Sequence, residues 1–411
     1  MLPARPLAAL ALLLLAAPAL GQEPAGQPRP DGLSWNGPIP TLQLADGDFT
    51  IRPTLRLDAD AGSFFGQDNP GGHRSGVNIR RGRLGLGGTV LRDFGYAFTW
   101  ELGGSAPNDY GNFYEGQVFY TGIRDTRLRI GAFTPQHLPE YAGSSFDLPF
   151  LERATITNVA ASLAAGDTRE AVGFETNGAI GDAGARFNIS AYATGGVAST
   201  PHDDRQRGLV GRAVLLAADR PGFQLQIGGD VAAQFHPGTN PGPESIRLRD
   251  YPELRVDTRR FLDSGSIRAD SAWAAGPELS ARIGPVHVEA IWQHVHIDAT
   301  TGADRDYDGW YAQALVPLLG KPRERSRDTA TWRRPSGDGP LGAIELGARY
   351  SSTDLREAGQ GSRQDILTVG VNWYPTSRLR FAAQYENGHT DLPGRPNRDF
   401  QAVGLRAAFT L

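Results

Sequence analysis

The sequence predicts an all-β protein, a closed transmembrane antiparallel β-barrel of about 16 strands. Three observations lead there. Apolar and polar residues alternate with period two through most of residues 49–411, the signature of strands with one greasy and one wet face. The alternating segments run to roughly 9–13 residues, the length of a tilted strand crossing a bilayer. Aromatic residues gather near the ends of the apolar faces (Tyr96, Trp100, Tyr114, Tyr120, Trp373, Tyr374, Tyr385, Phe409), where an interfacial girdle belongs.

The elements follow in order. Arg5 is the only charge before Glu23, Leu7–Leu20 is apolar apart from Pro18, and small residues follow. This is the pattern of a secretory signal peptide over residues 1–21. Residues 22–48 carry Pro24, Pro28, Pro30, Pro38 and Pro40 and read as a loose leader. The barrel domain then occupies 49–411. Ile51, Leu55 and Leu57 oppose Arg52, Arg56 and Asp58. Phe94, Tyr96, Phe98 and Trp100 oppose Thr99 and Glu101. Phe223, Leu225, Ile227 and Val231 oppose Gln224, Gln226 and Asp230, and Val403, Leu405, Ala407 and Phe409 oppose Gly404, Arg406 and Ala408. Compact turns are expected at Arg92-Asp93, Ile123-Arg124-Asp125, Ile283-Gly284-Pro285 and Tyr374–Ser377. The long connections are Asp60–Gly76, Thr134–Gly166, His236–Asp250 and Lys321–Leu341, all expected at the opposite, outer end.

Composition excludes several functions. The 411 residues hold no Cys, so there is no disulfide scaffold, thiolate metal site or Cys nucleophile. The net charge of −4 argues against nucleic acid as a partner. Lys321 is the only lysine, leaving arginine as the cation of this chain. No G-x-S-x-G element supports a barrel-embedded hydrolase, although Ser and His residues on neighbouring strands keep that reading open. A soluble β-sandwich would also alternate. Asp304-x-Asp306-x-Asp308-Gly309 opens like a calcium loop, but position twelve is Leu315 where a bidentate Glu belongs. His294-x-His296 puts two imidazoles on one strand face, yet His287 and Glu289 have the opposite parity and a zinc site needs more donors. Neither motif is assigned a metal, and no cofactor is implied.

Five segments resemble, in order, the phosphate-selective porin O and P family: Arg80–Gly88, Gly131–Pro135 with Phe150–Arg153, Tyr307–Gln313, Gly342–Ser351 and Asn372–Pro375. The resemblance implies a 16-stranded homotrimeric outer-membrane porin, in contact with outer-membrane lipid and lipopolysaccharide. It also implies that Thr134–Gly166 folds inward as a constriction loop bearing Arg153. The expected function is a passive, water-filled diffusion channel for small anionic solutes such as phosphate or polyphosphate. Strand parity places Arg52, Arg56, Arg81, Arg83, Arg127, Arg129 and Arg349 on the lumen face, together with Glu101 and Glu115. A general, non-selective porin is the alternative, because acids share that face and can pair with the arginines.

Overall fold

The computed structural model describes residues 31–34, 39–67, 71–107, 110–166, 168–181, 184–199, 206–238 and 244–411. The expected signal peptide, residues 1–21, lies outside the described residues. Sixteen long strands carry the architecture: β1 (Phe49–Phe65), β2 (Gly76–Val90), β3 (Phe94–Glu101), β4 (Asn112–Tyr120), β5 (Thr126–Phe133), β6 (Arg169–Ile180), β7 (Ala185–Val197) and β8 (Arg207–Arg220), then β9 (Phe223–His236), β10 (Ile267–Ile283), β11 (Val286–Ala299), β12 (Arg305–Leu319), β13 (Ala343–Asp354), β14 (Arg363–Thr376), β15 (Leu379–Asp391) and β16 (Arg398–Thr410). Each pairs antiparallel with the next. β16 returns to β1, with Thr410 opposite Arg56 and Gln401 opposite Phe65. The sheet closes, which removes both edges and leaves no strand backbone unpaired toward lipid.

The alternation sorts as expected. Leu57, Leu84, Leu86, Phe98, Leu279, Leu367, Val369 and Leu405 are exposed on the outer wall, a surface that only lipid covers favourably. No helix among the described residues is long and apolar enough to cross a membrane; the strands do so. Two girdle residues sit differently. Tyr114 lies over the Arg83 guanidinium, 3.6 Å from ring centroid to Cζ, because the β3–β4 register slips beside Thr99 and a one-residue slip changes the face. Tyr374 is buried at 3% exposure while Trp373 points outward.

Part of the expected loose leader is ordered. Gly32–Ser34 pairs with Thr41–Leu44, which in turn pairs with the start of β1. The long connections also depart from expectation. Odd-to-even hairpins such as β5–β6 and β9–β10 turn at one end of the barrel, and even-to-odd hairpins at the other. Residues 66–75, 134–168 and 237–266 belong to the first end. Residues 320–342 join β12 to β13 and therefore leave from the second end, beside the tight turns at 91–93, 221–222 and 284–285. In outer-membrane barrels the tight-turn end faces the periplasm.

Three long connections fold into the barrel and fill much of it. Residues 134–168 carry α1 (Leu138–Ala142) and α2 (Thr155–Ala161). Leu138, Ile156, Val159 and Leu163 pack on Ile291, Val295, Ile297 and Tyr307 of the inner wall, together with Ile246, Leu248 and Leu262 from the 237–266 connection. This stretch of inner wall is apolar although it borders the lumen, because loop side chains and not water cover it. Glycine makes the fit possible. A Cβ at Gly309 would stand 2.6 Å from Ile156 Cδ1, and one at Gly404 would stand 2.8 Å from Leu254.

Candidate functional site: the constricted lumen

The inner wall meets the 134–168 loop through buried charge. Glu152 is the centre. Arg80 donates to both its oxygens (2.7 and 3.0 Å) and Arg406 donates to Oε1 (2.9 Å). Arg255 from the 237–266 connection stands at 3.5 Å and Arg81 at 4.0 Å. Burial alone would raise the Glu152 carboxyl, but the arginines, Arg80 foremost, override it and hold the group well below the usual carboxylate range. A second anchor stands beside it. Glu140 accepts from Arg349 (2.9 Å), Thr157 Oγ1 (2.7 Å) and the Ala154 amide (3.0 Å). Burial raises the Glu140 carboxyl despite Arg349. Arg349 also donates to Glu253 (3.0 Å) and to the Glu152 carbonyl (2.9 Å).

The two anchors predict an acid response. A depressed carboxyl stabilises above its unfolded value of about 4.3 and loses that contribution as pH falls through its folded value. Protonating Glu140 relieves its burial and leaves Glu152 holding the loop. Single-channel conductance is therefore expected to stay level from pH 8 to about 5 and to rise only below about pH 4. A recording series across that range checks it.

The sequence-predicted lumen residues all reach the interior, but they do not form one cationic patch. Arg56 makes a bidentate pair with Asp58 (2.9 and 2.8 Å). Arg81 donates to the same Asp58 (2.8 Å). Arg83 pairs with Glu101 (2.7 Å), whose other oxygen accepts from the Gly82 and Gly103 amides. Arg127 and Arg129 share Glu175, and Arg129 also donates to Gln117 (2.8 Å). Glu115 accepts from Thr99 and Gln117. Arg153 donates to the Glu140 carbonyl (2.8 Å) and lies 4.0 Å above the Tyr141 ring. Arg52 faces the lumen near the tight-turn end, exposed and without a carboxylate partner among the described residues.

Parity reading misses Arg80. It follows Ile79 and precedes Arg81, and a register shift between β1 and β2 at Asp58/Ala59 turns both arginines inward. The consecutive arginines were the visible signal, since one of them must break alternation unless a bulge absorbs it. Glu140 lies on α1 and Glu253 and Arg255 on irregular chain, where strand parity has no meaning.

The 320–342 segment builds a second constriction from the tight-turn end. Arg323 forms a bidentate pair with Glu345 of β13 (2.8 Å each). Arg325 donates to Gln226 of β9 (2.6 Å) and Asn188 of β7 (2.7 Å), and Trp332 Nε1 to Ser280 of β10 (2.9 Å). Arg212 of β8 donates to the Thr329 and Ala330 carbonyls (2.6 and 3.1 Å). The segment thus spans the pore from wall to wall. It touches the first loop through Arg334 and Asp147, where a cavity of about 30 Å³ lined by Glu140, His287, Arg323 and Trp332 remains. Burial and the neighbouring Arg212 and Arg186 push the Arg325 guanidinium down to about 10, so it stays charged at neutral pH.

A closed 16-stranded barrel with an apolar outer wall and a loop pinned inside its lumen is the architecture of an outer-membrane porin. Residues 51–411 match the family model described as phosphate-selective porin O and P, and the chain belongs to that family. It is 26% identical over 401 residues to Porin O of Pseudomonas aeruginosa, covering 89% of this chain and 88% of that one. The fold is shared with the anion-selective porin from Comamonas acidovorans, with TM-score 0.53, 14% identity and coverage of 88% and 100%. It is also shared with the trimer form of OmpT from Vibrio cholerae, with TM-score 0.52, 11% identity and coverage of 88% and 99%.

Proposed function

We propose that this porin prefers anions, phosphate and short polyphosphate among them, and that arginine alone sets the preference. The carrying observation is which charges water can reach. Asp58, Asp60, Glu101, Glu175, Glu278 and Glu345 each hold an arginine and are buried. Arg52, Arg153, Arg186 and Arg325 keep accessible guanidiniums with no carboxylate at ion-pair distance among the described residues. The pore field a solute meets is then positive although the chain is net acidic. Guanidinium forks suit phosphate oxygens. Relatives support the reading, since one carries the name Porin O and a neighbour of the same fold is described as anion-selective.

The reversal potential across a KCl gradient is expected to report chloride over potassium. Arg52→Gln with Arg325→Gln is expected to reduce that preference while leaving the fold intact. A cation-selective wild-type channel would end the proposal, and unchanged selectivity in the double variant would move the preference elsewhere.

Assembly as a homotrimer belongs to the same proposal. A shallow groove of about 670 Å³ indents the outer wall at β1, β2 and β14–β16, where Ala59, Ala61, Ala383 and Ala407 lie beside the paired rings of Trp373 and Phe381. Small residues there let a second barrel approach closely. Cross-linking in native membranes is expected to stop at three chains. We further propose that 1–21 is removed on export and that the barrel has no hydrolytic activity; a fluorophosphonate probe is expected to leave it unlabelled.

A further inference from the structure

Two motifs that are inert when read separately meet on the outer wall. His294 and His296 project outward from β11, beside Trp292. Trp273 of β10 lies 5.4 and 5.8 Å from their ring centroids, and Trp292 lies 6.0 Å from that of His294. A tryptophan row marks the membrane interface, so the histidines, one and two steps nearer the long-loop end, stand at the outer rim. The neighbouring strand brings the acids. Asp306 is directly opposite His296, and Asp308 opposite His294. Asp298 continues the same outward row of β11, and the turn between the strands carries Asp304, held by the Ala299 amide (3.0 Å).

We infer that this cluster is a binding site for a divalent transition-metal ion of the zinc type, with His296, Asp298 and Asp304 as ligands and one position open to water. Their donor atoms all lie within 4.8 Å of one another. His296 Nε2 and Asp298 Oδ1 are 3.2 Å apart. Two donors about 2.1 Å from one tetrahedral ion stand about 3.4 Å apart, so that pair needs almost no movement. The other imidazole nitrogen is already committed: Nδ1 of His296 is 2.7 Å from Asp306 Oδ1. That is the carboxylate–histidine pairing that fixes the tautomer of a metal-bound imidazole and leaves Nε2 bare. His294 braces the same Asp306 at 3.2 Å.

Charge points the same way. Asp298, Asp304, Asp306 and Asp308 have no lysine or arginine within ion-pair distance among the described residues; Asp298, Asp306 and Asp308 pair with the two histidines, and the Arg305 guanidinium donates to the Ala303 and Asp304 carbonyls. Glu357 adds a further carboxylate, accepting from the Asp306 amide (2.7 Å). In the lumen, Asp58, Asp60, Glu101, Glu175, Glu278 and Glu345 are each set against an arginine. Here the chain gathers five acids and two imidazoles at one rim, and a divalent cation is the partner that such a donor set favours. Imidazole selects the zinc class over calcium or magnesium. His287 and Glu289 face the buried side; the further donors are Asp298 in the same outward row of β11 and Asp304 from the turn, while β12 supplies the Asp306 that braces His296.

The test is calorimetric titration of the EDTA-stripped, detergent-solubilised full chain with ZnCl2. One saturable Zn2+ per chain is expected. His296→Ala is expected to weaken binding by at least about ten-fold, and Asp306→Asn by about ten-fold through the lost tautomer lock. His389→Ala is the control, because His389 pairs with a single exposed acid, Asp399, and it is expected to bind as the wild type does. Heat-modifiable electrophoretic mobility shows that each variant is folded. Absence of saturable binding, or a folded His296→Ala variant that binds as tightly as the wild type, overturns the inference. Equal loss in His389→Ala, or Mg2+ binding as tightly as Zn2+, does so too.

Discussion

Glu152→Gln is expected to release the constriction loop and enlarge the channel. The carboxylate is shared by Arg80, Arg81, Arg255 and Arg406, and its side chain is 1% exposed. Removing the shared acid leaves Arg80 desolvated without its carboxylate, and breaking a buried pair in this way costs roughly 3–5 kcal/mol. Glutamine keeps the size but cannot balance the arginines that face it. The cheapest relief is outward movement of residues 134–168, with water entering to solvate the guanidiniums. Higher single-channel conductance, a stronger chloride preference and a lower temperature of barrel unfolding are expected together. The anion preference should rise because Arg80 loses its carboxylate partner, while Arg81, Arg255 and Arg406 are left with Asp58, Asp250 and Asp60 alone. Planar-bilayer recording and heat-modifiable mobility read these effects, and an unchanged conductance would show that the apolar seat of α2, with Ile156 and Val159 on the wall, holds the loop without the charges.

Replacing residues 323–334 by a short Gly/Ser turn is expected to raise conductance by at least about two-fold while the barrel stays closed, since barrels of this size enclose a water channel once inward segments are removed. β12 and β13 pair directly from Asp308/Asp354 down to Leu319/Ile344, so the wall does not depend on the segment between them. The lumen does. Arg323, Arg325 and Trp332 tie the segment to β13, β9, β7 and β10, and their removal also strands Glu345, Gln226 and Asn188 without partners. Selectivity is expected to weaken as conductance grows, because Arg325 leaves the path. A variant that conducts no more than the wild type would place the whole restriction in the 134–168 loop.

The wall of this protein was readable from the chain alone. Period two separates Leu367, Val369 and Val371 from Thr368 and Asn372 whatever the rest of the molecule does, because a strand has two faces and lipid and water sort them. The same reasoning placed Arg56, Arg83, Arg129 and Arg349 inside. It failed where the period breaks. Arg80 turns inward through a bulge, Tyr114 through a register slip, and the 320–342 segment enters from the end where tight turns were expected. It was equally silent on pairing. A lumen arginine and a lumen acid look alike from the chain whether they meet or not, and their meeting decides whether a solute encounters positive charge.

Sequence therefore settled the closed barrel and the side on which each strand residue lies, since both follow from local backbone geometry and the contrast between lipid and water. Tertiary structure decided which charges remain for a passing ion and which residues at the rim meet as ligands. Those outcomes depend on distances that period two does not fix: Glu152 to Arg406 and Arg325 to Asn188, where inward segments meet a distant part of the wall, and, more locally, Asp304 to His296 across a turn. Electrostatics falls off steeply with separation and burial, so these pairings exist only once the chain has closed on itself.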